Sequence, residues 1–186
     1  MTHIYLIRHC QPRIDGDDRV RSLTDKGIAD IPKVTRYLAD KGIDRVYCSP
    51  YKRSVDTISD FCSKYSFDLE IRENFREVNI GNDYQGEFMD TVRHLWEDCS
   101  YRLSDGESYG QVQRRCIAEL LPILREDRDK NIVISMHSTA MSTIIKYFKP
   151  DFVWEDYFRV LCHTPYAALL SFDGDRFCAV EYHSFD

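Results

Sequence analysis

Short runs rich in apolar and β-branched residues alternate along this chain with longer stretches of helical periodicity, and that alternation is the strongest constraint on its fold. The β-type runs are His3 to Ile7, Arg45 to Cys48, Asp68 to Ile71, Ile132 to Met136, Ala167 to Phe172 and Phe177 to Tyr182. Strands separated by helices pair in parallel through right-handed crossovers, whereas the last two runs are joined only by Asp173-Gly174-Asp175, a hairpin connection. The pattern predicts an α/β fold: one three-layer α/β/α domain over residues 1–186, with a mostly parallel sheet, helices on both faces and a late antiparallel strand.

Four helices are legible between the strands. The first starts near Thr24 and ends before Gly42, with Pro32 expected to disturb its early turns. The second takes Ser49 as its N-cap and Pro50 in its first turn. The third runs from about Ser108 to Arg125, with Val112, Cys116, Leu120 and Leu124 as its stripe and Pro122 as a kink or end. The fourth follows Met136 and stops ahead of Pro150. Residues 74–107 break this rhythm, being punctuated by Gly81, Asn82, Asp83, Gly86, Asp105 and Gly106 around one short helix near Asp90 to Asp98. They read as a lid inserted over the sheet.

In such sheets ligands bind beyond the carboxyl ends of the strands. There the first strand delivers Arg8-His9-Cys10, the second Cys48-Ser49-Pro50 with Arg53 one turn on, and the fourth Ser135-Met136-His137-Ser138. Guanidinium forks and helix N-termini hold a phosphate dianion, and a neutral imidazole is a nucleophile that can carry a phosphoryl group. Arg8 and Arg53 supply the first and His9 and His137 the second, while Glu77 is the candidate acid for the leaving oxygen, with Glu73, Glu87 and Glu107 as nearby rivals. The charge balance makes this local supply necessary. With 31 acidic and 25 basic side chains, net −6, the chain is no general polyanion binder, so an anionic substrate needs its own arginines and nucleic acid is not an expected partner.

These segments resemble the histidine phosphatase superfamily, also called phosphoglycerate-mutase-like, over most of the chain. Ile4-Tyr5-Leu6-Ile7-Arg8-His9-Cys10-Gln11 is similar to the opening strand and its Arg-His-Gly, with Cys10 in place of glycine. Leu23-Thr24-Asp25-Lys26-Gly27 resembles the Leu-Thr-x-x-Gly helix start, and Ser49-Pro50-Tyr51-Lys52-Arg53-Ser54-Val55-Asp56-Thr57 the Ser-Pro-x-x-Arg-x-x-x-Thr segment. Glu77-Val78-Asn79-Ile80-Gly81, Asp105-Gly106-Glu107-Ser108 and Ile134-Ser135-Met136-His137 complete the set, with Ser138 where the family has its second glycine. The resemblance implies that His9 is the phosphorylated nucleophile, that Arg8, Arg53 and His137 bind phosphate, and that Glu77 is the proton donor. It implies a metal-independent, cofactor-free phosphatase that hydrolyses a small phosphorylated metabolite through a phosphohistidine. Mutase-type phosphoryl transfer, a non-catalytic phospho-ligand module, and a thiol- or zinc-dependent hydrolase using Cys10, His9 and His137 are the alternatives.

Around this core, Arg13, Arg19 and Arg21, with the aromatics Phe75, Tyr84, Phe88, Trp96, Tyr101 and Tyr109, are candidates for reading the rest of the substrate. Cys10, flanked by Arg8, is a candidate redox-sensitive thiol of lowered pKa. The seven cysteines are odd in number and lack metal-ligand spacing, so reduced thiols are expected. The longest apolar run, Tyr166 to Leu170, is far too short to span a bilayer, and Met1-Thr2-His3-Ile4 opens no secretion signal, so no membrane association and a cytoplasmic setting are expected. A homodimer is left open.

Overall fold

A computed structural model describes residues 1–83 and 85–185 of the chain. Six strands form one sheet: β1 (Thr2–Arg8), β2 (Arg45–Cys48), β3 (Leu69–Ile71), β4 (Asn131–Met136), β5 (Tyr166–Asp173) and β6 (Arg176–Ser184). Their order is β3-β2-β4-β1-β5-β6. The four strands from β3 to β1 are parallel, β5 runs antiparallel to β1, and β6 returns antiparallel to β5. Asp173 and Arg176 pair across the turn, where Gly174 takes φ of 59°, so the hairpin expected from Asp173-Gly174-Asp175 is present.

The layers follow from alternation along the strands. Ile4 and Leu6 of β1 face one side, where they join Val112, Cys116 and Leu120 of α4 (Tyr109–Glu126) and Ala140, Met141 and Ile144 of α5 (Ser138–Phe148). Tyr5 and Ile7 face the other, against Val34 and Leu38 of α1 (Asp25–Leu38) and Ile58 and Phe61 of α2 (Lys52–Tyr65). Each such side chain taken wholly out of water contributes about 1.5–3 kcal/mol, which is why the two apolar faces of the sheet fix the sandwich. A 3-10 turn at Glu73–Phe75 and α3 (Phe88–Glu97) lie between β3 and α4, and α6 (Trp154–Cys162) lies between α5 and β5. Among the described residues no helix is long and apolar enough to cross a membrane.

Several local expectations change. Pro32 and Pro122 lie inside continuous α1 and α4, so neither helix ends or breaks at its proline. Ser49 is not a cap: α2 starts at Lys52 with Tyr51 in the N-cap position and no side-chain cap bond, because the Ser49 hydroxyl is spent on His137. The helix α6 was not among the four read from the sequence. Its signal was present in the spacing of Trp154, Tyr157, Val160 and Leu161, of which Tyr157 and Val160 are buried, but nine residues carry too few turns to stand out.

Candidate active site

Because β4 sits between β2 and β1, the carboxyl ends of these three strands lie side by side. The strand ladders continue one step further: His9 N–H donates to Met136 O at 3.0 Å, and Ser49 N–H donates to Ser135 O at 2.9 Å. That arrangement brings His9 and His137 together with ring centroids 5.1 Å apart. Arg8, His9, Arg53 and His137 are at most 9% exposed.

The hydrogen bonds settle which ring nitrogen carries each proton. His9 Nδ1 lies 2.7 Å from the Cys10 carbonyl, which can only accept, so Nδ1 is protonated and the lone pair is on Nε2. Arg53 Nε–H donates to that Nε2 at 3.1 Å, consistent with an acceptor there. Ser49 Oγ accepts from Tyr51 N–H at 3.3 Å and, having no other acceptor within reach among the described residues, donates its own proton to His137 Nε2 at 2.7 Å. His137 therefore carries its proton on Nδ1, an atom that is buried without a partner. Burial, reinforced by Arg53 and Arg8, holds His9 well below the usual imidazole range; burial, then His9 and the same arginines, does so for His137. Both rings are neutral at neutral pH.

Arg8 is gripped from behind by α6. Its Nη1 donates to the carbonyls of Val160, Leu161 and His163 at 2.6, 2.9 and 2.7 Å, and its Nε is buried with no partner. Burial lowers Arg8 to about 10, so it remains a cation. The unpartnered buried donors on Arg8 and His137 are chemically suited to an oxyanion.

Glu77 reaches the same place from the 74–107 segment. Its carboxylate accepts from Val78 N–H at 3.0 Å, from Thr139 and Ala140 N–H at 3.1 Å each and from Ser138 Oγ–H at 3.2 Å, so it sits on the N-terminus of α5. Ser138, in place of the family glycine, is used to hold this carboxylate. The rivals are otherwise engaged: Glu73 pairs with Arg19, Glu87 is exposed ahead of α3, and Glu107 is held by Arg76 and Arg115. Burial raises Glu107, but Arg115 outweighs it and its carboxyl lies below the usual range.

Arg53 and Glu77 border a cleft of about 400 Å³ whose walls also include Asp18, Arg21, Tyr51, Asn79, Phe88, Ser138 and Tyr157, with Arg8, His9 and His137 buried behind it. Of the outer arginines only Arg21 borders it; Arg19 is turned to Glu73 and Arg13 is exposed. Of the outer aromatics Phe88 borders it, Phe75, Trp96 and Tyr109 are core, Tyr101 stacks on His94, and Tyr84 lies outside the described residues. Cys10 corrects an expectation. Its thiol is buried among Val34, Leu38 and Ile58 on the far side of β1, and burial pushes it up to about 11, so it is neither a low-pKa thiol nor placed to join the histidines as a metal ligand. Its backbone N–H donates to Thr57 Oγ1 at 2.9 Å, so the motif threonine anchors the chain just after His9. Ser49, Thr57, Ser138 and Tyr157 were not singled out from the sequence as site residues; Ser49, Thr57 and Ser138 lay within quoted motifs, and Tyr157 lies on α6.

The model of the histidine phosphatase superfamily (branch 1) matches residues 4–184. The chain belongs to that superfamily. Being a histidine phosphatase, it is a hydrolase of phosphoric monoesters. It is 23% identical over 164 residues to a protein of Hydrogenobacter thermophilus named "Putative phosphoserine phosphatase 2", covering 78% of this chain and 77% of that one. A phosphoserine phosphatase from Entamoeba histolytica solved with 3-phosphoglyceric acid has the same fold, with a TM-score of 0.80 at 20% identity over 99% of this chain and 98% of that one. Bacillus stearothermophilus YhfR superposes with a TM-score of 0.76 at 22% identity, over 96% and 95% of the two chains.

Proposed function

We propose that this histidine phosphatase removes phosphate from a small phosphorylated metabolite by way of a phosphohistidine on His9 Nε2, without a metal or cofactor. The observation that carries the reading is the Nδ1–H bond from His9 to the Cys10 carbonyl, which leaves an unprotonated Nε2 that accepts from Arg53 Nε–H, with the His137 ring centroid 5.1 Å from that of His9. In the first step the Nε2–P bond forms as the ester P–O bond breaks, and Glu77 gives a proton to the departing oxygen. Arg8, Arg53 and His137 hold the phosphoryl oxygens and offset their charge. In the second step water attacks phosphorus, Glu77 takes a proton from it, the N–P bond breaks and orthophosphate leaves.

The chain acts as one domain in which residues 74–107 serve as lid and carrier of Glu77. A small phosphorylated acid, as in the 3-phosphoglyceric acid complex of the Entamoeba histolytica relative, suits a cleft of this size. A cytoplasmic setting suits such a metabolite. The test is hydrolysis of an aryl phosphate followed by a panel of phosphorylated metabolites. Wild type turns over with vanadate inhibition and His9→Ala does not; equal rates in the two proteins would refute the reading.

A further inference from the structure

The loop between β1 and α1 places a carboxylate where a phosphoryl group would need donors. Arg53 Nη1 donates to the Asp18 carbonyl at 2.5 Å and to Asp18 Oδ1 at 3.2 Å, and Nη2 donates to Oδ2 at 3.3 Å. The fork that would hold phosphoryl oxygens thus already holds a carboxylate, and the two anions compete for the same paired N–H groups. The Asp18 side chain is 41% exposed against 5% for Arg53, so it is the partner that can leave.

It also has somewhere to go. Asp18 Oδ1 lies 3.1 Å from Arg21 Nη1, at the mouth of the cleft. The rest of the loop is held independently: Arg13 N–H donates to Ser22 O at 2.8 Å, Lys52 N–H donates to Arg19 O at 2.9 Å, and the Arg19 fork grips both oxygens of Glu73. A side-chain rotation of Asp18 therefore releases Arg53 Nη2 and the Oδ1 contact of Nη1 without unfolding the loop, while the Asp18 backbone carbonyl stays on Nη1.

We infer that Asp18 is a built-in competitor of phosphate: it occupies the Arg53 fork before substrate arrives, pairs with Arg21 while a phosphoryl group is bound, and returns to Arg53 to help expel orthophosphate. The inference rests on the phosphatase reading above. It differs from a positioning role, in which Asp18 would orient Arg53 and its loss would weaken anion binding.

The test measures inhibition constants of orthophosphate and vanadate against aryl phosphate hydrolysis in wild type, Asp18→Asn, Asp18→Ser and Asp15→Asn. Asp15 is an exposed carboxylate of the same loop with no bond to Arg53 among the described residues, so it controls for the change in loop charge. Asp18→Asn and Asp18→Ser tighten orthophosphate binding roughly three- to tenfold and lower KM, while Asp15→Asn stays within about twofold of wild type. Unchanged or weaker binding in folded Asp18 variants overturns the inference alone. A wild type with neither turnover nor inhibition by either anion overturns the phosphatase reading and this inference with it.

Discussion

His9 and His137 face each other as the same residue type, yet their hydrogen bonds give them opposite chemistry. A carbonyl acceptor at Nδ1 makes His9 a nucleophile at Nε2, and a hydroxyl donor at Nε2 makes His137 a donor at Nδ1. Ser49 is thus a positioning residue. Ser49→Ala removes the bond that fixes the His137 tautomer and lowers kcat/KM by about 10- to 100-fold, the cost of one misplaced buried hydrogen bond, while a urea melt confirms that the variant still folds. A loss under twofold would dismiss the tautomer assignment. Thiol chemistry divides along burial. In the native protein at pH 7.5 iodoacetamide labels the exposed Cys162 and Cys178 and spares the buried Cys10, as read by peptide mass spectrometry. Labelling of Cys10 at a comparable rate would contradict its placement.

Elements, more than single residues, decide where Glu77 stands. Arg115 on α4 donates to the carbonyls of Asn74, Arg76 and Glu77 and pairs with Glu107, tying the segment after β3 to the helix. Gly106 closes the loop from the other side: a Cβ there would meet the Ile80 carbonyl oxygen at 2.3 Å. Gly106→Ala therefore pushes the Glu77 strand of the loop away, and kcat falls at least tenfold with a loss of about 1–3 kcal/mol in a denaturant melt. Wild-type kinetics in that variant would show that Glu77 does not depend on the loop. Gly27 has the same reason in the first helix start, since a Cβ would sit 2.3 Å from the Gln11 oxygen. Such contacts explain what was legible. The strands, α1, α4, α5 and the five motif residues carry periodic or clustered signals that survive without coordinates. The partners of Ser49, Cys10 and Asp18 do not, because proximity across the sheet edge decides whether serine caps a helix, a thiol is acidified or an aspartate stays in solvent. The short helix α6 escaped for a related reason: its role, offering Arg8 the carbonyls of Val160 and Leu161 with that of His163 just past its end, depends on where it ends rather than on its pattern.

Over the whole molecule, a chain of net charge −6 concentrates two buried guanidiniums and two neutral imidazoles at one sheet edge. That concentration has a stability signature. The unfolded chain binds protons on these two histidines as pH falls through about 6.5, while the folded protein, which holds both below their ordinary value, does not. Stability is full above that pH and declines below it, by up to about 1.4 kcal/mol per pH unit for each imidazole. Urea melts at pH 7.5, 6.5 and 5.5 should show this decline, with a shallower slope in His137→Asn; identical slopes would mean that the folded ring titrates normally. The central claim, that the edge of β1 presents His9 Nε2 to phosphorus, is tested most directly by rapid quench of the first turnover with a radiolabelled phosphate ester. The account predicts protein-bound label that is lost in acid, survives alkali, maps to His9 and is missing from His9→Ala. Label on another residue, or label retained in His9→Ala, would contradict it.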